Sequence, residues 1–306
     1  MGKVLLLASD DDPHTTAVKT ELYRAKAEIV QIDIWSSFGS KSLDLRSPLA
    51  PEYDGAWLRT KPNVADTVSD MELFAIRERK EFMYGHYGLV VTGGWINDPW
   101  CQERSKGKIS QLLKAKSLGL NIPDTVIGTD LNEIEKLYAD GDEVIYKPLT
   151  WLATTEGQIL FTNTISLPVL RDAHSAIRNV PGIFQKRTAK SYEYRITIVD
   201  EEIFAVRIFS QDDPEAALDW RRKQMNLRYE VCNPQEFNCD QLHALLKALG
   251  LRFGAFDIIE TTSGEKIFLE VNPAGNWLWL EGKLNLRISA AIASALLSKG
   301  RRFNGD

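Results

Sequence analysis

Two acidic residues and one asparagine near the end of the chain have the spacing of a cation site. Asp257 and Glu270 lie in two strand-like segments, FGAFDIIE and KIFLEVN, that flank Ser263 and Gly264. Glycine at this position permits the positive φ of a tight turn, so the two segments are predicted to form a β-hairpin. With Ser263 and Gly264 at the centre of the turn, Asp257 comes directly opposite Glu270. Asn272 points to the same side as Glu270 because strand side chains alternate.

These three oxygen-bearing side chains are typical of a magnesium site. Two carboxylates at cross-strand distance repel each other unless a positive charge lies between them. Mg²⁺ prefers hard oxygen ligands and usually takes only a few from the protein, leaving the others to phosphate and water. The alternative interpretation is an ordinary acidic hairpin face in solvent, and the motif alone does not exclude it.

Two lysines are candidates for binding phosphate. Lys147 ends an apolar strand-like segment just before Pro148, so its ammonium is expected to project at the end of the strand. Lys108 lies at the beginning of a predicted helix, where the helix dipole disfavours a cation and a nearby anion would compensate. Taken singly, each lysine is better explained as an exposed side chain.

The composition is that of an ordinary globular protein and excludes several classes. The chain has 306 residues, of which 44% are hydrophobic and 26% charged. A net charge of -5 argues against nucleic acid as a partner. No apolar segment approaches the roughly 20 residues that cross a membrane, so we expect no membrane insertion. The three cysteines form no CxxC pair, which favours free thiols and a cytoplasmic location.

The elements that must position these residues alternate between strand and helix at the start of the chain. The expected order is a strand over 4–8, a helix over 14–25, strands over 28–34 and 53–59, a helix over 66–84 and a strand over 88–92. This order predicts a parallel sheet covered by helices, in a first domain that closes near Trp100.

A small α+β lobe and a β-rich lobe are expected to follow. The small lobe has a helix over 105–118, strands over 125–128, 144–146 and 158–161, and helices over 130–139 and 169–178. The segment from Ile183 to Lys186 is interpreted as the first strand of the final lobe, which continues with strands over 192–199 and 203–209 and a helix over 239–249.

Taken together and in this order, the motifs resemble the ATP-grasp superfamily over nearly the whole chain. They are the lysine at a helix start, the strand lysine before proline and the terminal D…E-x-N set. The likeness is closer still to graspetide ligases, the microviridin-type ATP-grasp enzymes that cross-link ribosomally made peptides. The segments that carry it are Asp11–His14, Trp95–Pro99, Tyr194–Val199, Ser210-Gln211, Asp219–Arg221 and Asn272–Glu281.

The resemblance implies an α/β fold with α+β lobes, namely the ATP-grasp fold with an N-terminal βαβ pre-ATP-grasp domain. The implied divisions are 1–100 for that domain, 101–184 for the central ATP-grasp lobe and 185–306 for the C-terminal lobe with the metal site. The loop over 150–158 holds a single glycine, Gly157, whereas many members of the superfamily cover the triphosphate with several.

The resemblance also implies a role for each candidate residue. Lys108 and Lys147 would contact the ATP phosphates, and Asp257, Glu270 and Asn272 would hold Mg²⁺. Arg221 would act near the γ-phosphate or the acyl phosphate, so that Arg221 and Lys147 are the catalytic candidates. The hinge beside adenine would be formed by Gln185, Lys186, Arg187 and Thr188. Glu193 would hold the ribose hydroxyls, and Arg195 would be a further nucleotide-binding residue.

The implied reaction turns a carboxylate into an acyl phosphate, which a hydroxyl or an amine then attacks. For a graspetide ligase the substrate is a precursor peptide with a leader segment, and the products are macrolactones or macrolactams. Two alternatives are left open: an amino-acid ligase that extends a carboxyl terminus, and an ATP-binding regulator without turnover. Whether the chain forms a homodimer is also left open.

Overall fold

The computed structural model describes residues 2–9, 11–33, 46, 52–59, 69–91, 94–139, 141–150 and 162–298. The strand expected over 158–161 lies outside these residues, and so does the glycine-poor loop after residue 150. Within the described ranges, no helix is both long enough and apolar enough to cross a membrane.

The first part of the chain forms a parallel sheet with helices on both faces, as predicted. Its elements are β1 (Lys3–Ala8), α1 (Pro13–Arg24), β2 (Glu28–Ile32), β3 (Gly55–Arg59), α2 (Asp70–Val90) and β4 (Trp95–Ile96). The strands are parallel and ordered β2-β1-β3-β4. Alternation along the buried strand β1 sends Val4 and Leu6 to one core, which includes α1, and Leu5 and Leu7 to another, against α2.

The strand expected over 88–92 is wrong, because α2 continues to Val90. Tyr84, Tyr87 and Val90 recur at the spacing of one helix face and are buried against the sheet. That face keeps the segment helical although Gly85 and Gly88 lower its intrinsic helix propensity.

The middle of the chain forms a four-stranded antiparallel sheet with short helices. Its elements are α3 (Pro99–Ser105), α4 (Lys108–Ser117), β5 (Thr125–Gly128), α5 (Leu131–Glu135), a 3₁₀ turn (Lys136–Tyr138), β6 (Val144–Lys147), β7 (Asn163–Ile165), α6 (Leu167–Asp172), α7 (His174–Ile177) and β8 (Gly182–Lys186). The strand order is β5-β8-β6-β7.

Three sequence predictions are corrected in this region. The helix expected over 105–118 divides into α3 and α4, and Gly107 caps α4 so that Lys108 is its first residue. The helix expected over 169–178 likewise divides into α6 and α7. Strand β8 pairs with β5 and β6, so it is a strand of the middle sheet and does not begin the final one.

The last part of the chain forms a five-stranded antiparallel sheet. Its elements are β9 (Lys190–Val199), β10 (Glu202–Ile208), a 3₁₀ turn (Trp220–Lys223), β11 (Tyr229–Cys232), α8 (Cys239–Ala248), β12 (Phe253–Thr261), β13 (Lys266–Asn272), α9 (Leu278–Leu284) and α10 (Ile288–Leu297). The strand order is β11-β10-β9-β12-β13. Helix α10 packs together with α1 on one face of the first sheet. The last helix of the described chain therefore shares a core with the first strand.

The two faces of this last sheet differ sharply in polarity. Tyr194, Ile196 and Ile198 of β9 point into an apolar core shared with α4 and α8. The residues between them, Arg195 and Thr197, are polar and also buried. Buried polar groups need hydrogen-bond partners or ligands, so this second face of the sheet is the candidate location of a functional site.

Candidate active site

The predicted hairpin is present, and Asp257 pairs directly with Glu270. The turn differs from the prediction: its loop is centred on Ser263, one residue from the expected register, and Gly264 takes the positive φ of 87°. The register then shifts beyond Phe268, where Leu269 is the extra residue of a β-bulge. The bulge restores the expected pairing at the two carboxylates.

Each carboxylate of the pair is held by an arginine on one oxygen. Arg195, the partner of Asp257 on β9, donates from Nη1 to Asp257 Oδ1 at 2.7 Å. Arg221 donates from Nη1 to Glu270 Oε1 at 3.2 Å. Among the described residues no hydrogen bond reaches Asp257 Oδ2 or Glu270 Oε2, so one oxygen of each carboxylate is available to a ligand.

The donor set fits Mg²⁺ when the amide of Asn272 is included. The described part of the chain has no cluster of three His, Cys, Asp or Glu side chains able to hold a metal ion. Asn272 follows Glu270 by two residues, is exposed, and accepts from the Ala274 N–H at 2.9 Å, which orients its oxygen. Two carboxylates and one amide oxygen are the hard ligands that Mg²⁺ takes from proteins.

The two carboxylates differ in the balance of charge around them. Burial tends to raise the pKa of Glu270, but the cations of Arg221, Lys108 and Lys147 outweigh it and hold that pKa below its usual range. Burial raises the pKa of Asp257, and Glu270 adds to the effect against the opposition of Arg195. A divalent cation between the two would favour the ionised form of both.

Arg221 is fixed by a neighbouring aspartate. Asp219 caps the 3₁₀ turn and accepts from Arg221 through both carboxylate oxygens, at 2.8 Å from Nε and 2.9 Å from Nη2. Burial tends to lower the pKa of Arg221, yet the hydrogen bonds to Asp219 and the charge of Glu270 raise it above its ordinary value. No functional role is assigned to Asp219 from the sequence, where it occurs only as part of the Asp219–Arg221 segment that carries the family resemblance.

The two candidate lysines meet at the end of β6. Lys108 donates from Nζ to the carbonyl oxygen of Pro148 at 2.8 Å, next to Lys147 in the chain. Burial lowers the pKa of Lys147 to about 8, against the attraction of Glu270. Burial also lowers the pKa of Lys108. Two crowded ammonium groups in a half-buried position would gain from an anionic ligand.

The lowered pKa of Lys147 predicts a pH dependence of nucleotide binding. Lys147 carries its charge below about pH 8 and loses it above, so the affinity of the free protein for ADP without divalent cation should fall as the pH rises through about 8. In Lys147→Arg the charge persists, and the decline in this pH range should disappear. Calorimetric titrations between pH 7 and 9.5 would measure both, and an equal decline in the two proteins would contradict the role of Lys147.

The hinge candidates lie on and just after β8, in the middle sheet. Gln185 is buried and donates to Thr125 Oγ1 at 3.0 Å. Lys186 pairs with Asp142 at 2.8 Å, Arg187 pairs with Glu143, and Thr188 is half-buried in the connection to β9. Since two of these side chains are held by acidic residues of the middle lobe, backbone groups are the better candidates for contacting a base.

Glu193 lies on the same face of β9 as Arg195 and is buried. Lys190 pairs with it at 2.9 Å. Burial raises the pKa of Glu193 against the charge of Lys190. The structure therefore assembles Lys108, Lys147, Arg195, Arg221, Asp257 and Glu270 into one charged cluster, with Asn272 and Glu193 along the same strands and the hinge candidates on the neighbouring sheet.

Sequence reasoning missed a network that ties the first sheet to the segment after Asn272. Arg59 at the end of β3 is buried and donates to Asp12 Oδ2 at 2.9 Å, to the Ala274 carbonyl at 2.6 Å and to Asn276 Oδ1 at 2.5 Å. Asp12 and Asn276 each belong to a motif of the sequence, but no sequence pattern links the two motifs. Arg59 itself carries no sequence signal beyond its place at a strand end.

No protein-family profile and no curated protein matches the chain. Solved structures do. A RiPP-associated ATP-grasp ligase of Chryseobacterium gregarium, in complex with ADP and a leader and core peptide, has a TM-score of 0.86 at 24% identity over 99% of this chain and 98% of its own. The macrocyclase MdnC of Microcystis aeruginosa, bound with the precursor peptide MdnA, has a TM-score of 0.78 at 25% identity over 97% and 99%.

A more distant structure is a RimK domain ATP-grasp protein of Sphaerobacter thermophilus, with a TM-score of 0.60 at 15% identity over 96% of this chain and 99% of its own. The chain thus has the fold of the ATP-grasp ligases, as the sequence predicted. Within that class it is similar to the RiPP-associated ligases and macrocyclases, which confirms the resemblance found in its motifs.

Proposed function

We propose that the chain is an ATP-dependent ligase that forms side-chain esters or amides within a ribosomally made precursor peptide. The observation that carries this proposal is the pair of carboxylates on the last sheet, Asp257 and Glu270, with four cations around them from the last sheet, α4, β6 and the 3₁₀ turn. The fold supports it, since the similar structures include an ATP-grasp ligase in complex with ADP and a leader and core peptide, and a macrocyclase bound with a precursor peptide. Each of the two is matched over nearly its whole length.

The charge of the cluster suits a reaction between two anions. A substrate carboxylate must approach a triphosphate before its oxygen attacks the γ-phosphorus, and the approach needs concentrated positive charge. Lys108 and Lys147 would bind the phosphates, and Arg221 would contact the transferring phosphoryl group. Mg²⁺, held by Asp257, Glu270 and Asn272, would supply further positive charge to the triphosphate.

The proposed ligation has two steps. The carboxylate oxygen bonds to the γ-phosphorus while the bond to the β-phosphate oxygen breaks, which gives an acyl phosphate and ADP. A hydroxyl or an amine of the peptide next attacks the acyl carbon, loses its proton and displaces phosphate. Gln185, Lys186, Arg187 and Thr188 would line the adenine, Glu193 the ribose, and Arg195 would hold Asp257 in place beside the nucleotide.

The remaining parts of the proposal concern organisation. The lobes are proposed at 1–100, 101–184 and 185–306. Gln185 and Lys186 follow the second boundary in the chain but pair within the middle sheet, and helix α10 of the last lobe packs against the first sheet. The proposed partner is a precursor peptide with a leader segment. The proposed location is the cytoplasm, where ATP is supplied and where the three free cysteines would stay reduced.

Mass spectrometry of a candidate precursor peptide after incubation with the protein, ATP and Mg²⁺ tests the reaction. Each cross-link should remove one molecule of water and release one phosphate, and both changes should require ATP. Gain of an amino-acid residue would instead indicate a ligase that extends a carboxyl terminus. Tight ATP binding without phosphate release, for every carboxylate tried, would contradict the ligase and favour a regulator.

A further inference from the structure

The backbone of Val271, between Glu270 and Asn272, is bonded to a side chain instead of a strand. Strand β13 is at the edge of its sheet, so half of its backbone groups face away from β12. The Val271 N–H donates to Gln111 Oε1 at 2.9 Å, and Gln111 Nε2 donates to the Val271 carbonyl at 2.8 Å. The amide of Gln111 thereby replaces the missing neighbouring strand at this one residue.

Gln111 is itself fixed in place. Its side chain is buried, and Nε2 makes a second bond to the carbonyl of Ser105 at 2.6 Å, at the end of α3. A planar amide that makes three hydrogen bonds has a single rotamer compatible with all of them. Gln111 therefore behaves as a rigid connection between the helices and the edge strand.

The same helix turn carries Lys108. Residues three apart lie on one side of a helix, so Lys108 at the start of α4 and Gln111 are neighbours on it. Lys108 reaches the end of β6 through Pro148, and its charge acts on Glu270. The first turn of α4 thus carries Lys108, one of the two candidate phosphate-binding lysines. Through Gln111 the same turn contacts β13, the strand that bears Glu270 and Asn272.

We propose that Gln111 is a positioning residue that sets the distance between the metal ligands of β13 and the phosphate-binding lysines. The inference rests on the function proposed above. Ligand oxygens must be held within about 0.5 Å of productive geometry, and groups that support metal ligands contribute to affinity without touching the ion. Loss of the amide would leave the N–H and C=O of Val271 buried and unpaired, so the strand would shift to find other partners.

The experiment compares the Mg²⁺ dependence of ADP binding in the wild type and in Gln111→Met. Methionine has a similar length and lacks both hydrogen-bonding atoms. We expect the Mg²⁺ concentration needed for half of the tightening of ADP binding to rise about 10–100-fold. ADP binding without divalent cation should stay close to that of the wild type. Calorimetry measures both quantities, and thermal denaturation reports whether the variant is folded.

A second variant and a matched control separate positioning from simple loss of stability. Gln111→Glu keeps an acceptor for the Val271 N–H but sets a carboxylate against the Val271 carbonyl, so it should also shift the Mg²⁺ dependence, and it serves if Gln111→Met does not fold. Gln241 in α8 is half-buried and donates to the Leu118 carbonyl at 3.0 Å, so Gln241→Met removes a bond at the other end of α4, beside Lys266 and Phe268 at the start of β13 and not at Val271. It should lower the melting temperature without changing the Mg²⁺ dependence.

The outcomes are distinguishable. Wild-type Mg²⁺ dependence in the folded Gln111 variants would overturn this inference and leave the proposed function standing. An equal shift in Gln241→Met would also overturn it, because the effect would then be one of general stability. If ADP binding by the wild type shows no Mg²⁺ dependence, the proposed function fails and the inference fails with it.

Discussion

Glu270→Gln is expected to reduce ATP-dependent ligation by about 10³-fold, equivalent to about 4 kcal/mol of transition-state stabilisation. The substitution keeps the shape of the side chain and removes its charge. Glu270 lies among Lys108, Lys147 and Arg221, and it is the candidate metal ligand whose low pKa keeps it ionised. Without that charge the metal ion is held less tightly, and the triphosphate loses part of the positive field that offsets its own charge.

The measurement is phosphate release with a precursor peptide, combined with the Mg²⁺ dependence of ADP binding. Glu260→Gln is the matched control, because Glu260 is on the same hairpin but three residues from Asp257, hence on the opposite face. Glu260 accepts from the Tyr194 hydroxyl at 2.6 Å and pairs with Lys266. Its variant should lose some stability and little activity. Activity of Glu270→Gln near that of the control would contradict the assignment of the metal site.

The metal-site hairpin could be predicted because it depends on two local rules. Side chains alternate along a strand, and a glycine turn fixes which residues face each other. The prediction nevertheless reached the right pair through two compensating errors: the turn is centred one residue away from the expected register, and the bulge at Leu269 moves the register back. Nothing in the type of Leu269 signals a bulge, which is set by packing on both faces of the sheet.

The contacts that complete the site could not be predicted, because they join distant parts of the chain. Arg195 reaches Asp257 over 62 positions, and Gln111 reaches Val271 over 160. Such contacts follow from how helices and sheets pack, and no local pattern encodes them. The same holds for β8, whose membership of the middle sheet depends on β5 and β6. The sequence motifs identify the charged residues, and tertiary packing determines which of them come into contact.

Arg221→Lys is expected to lower kcat by about 10²–10³-fold with a much smaller change in the KM for ATP. The guanidinium of Arg221 contacts both oxygens of Asp219 and one oxygen of Glu270 at once. A lysine ammonium cannot reproduce this planar arrangement, although it keeps the charge. The side chain is 45% exposed, so it is also open to a substrate. Because its contact would strengthen as charge develops on the transferring phosphoryl group, the loss should fall on the chemical step and not on ATP binding.

Arg222→Lys provides the neighbouring control. Arg222 donates from Nη2 to the Thr162 carbonyl at 2.9 Å and to Asn163 Oδ1 at 3.1 Å, so its guanidinium contacts the middle lobe. Steady-state kinetics of both variants with ATP and peptide would separate the two positions. A loss in Arg221→Lys that appears mainly as a raised KM would place Arg221 in ground-state nucleotide binding, since an interaction made equally before and during the transfer raises KM and leaves kcat unchanged. Equal losses of kcat at both positions would mean that both substitutions disturb the 3₁₀ turn, and that the contact from Arg221 to Glu270 is not the cause of the loss.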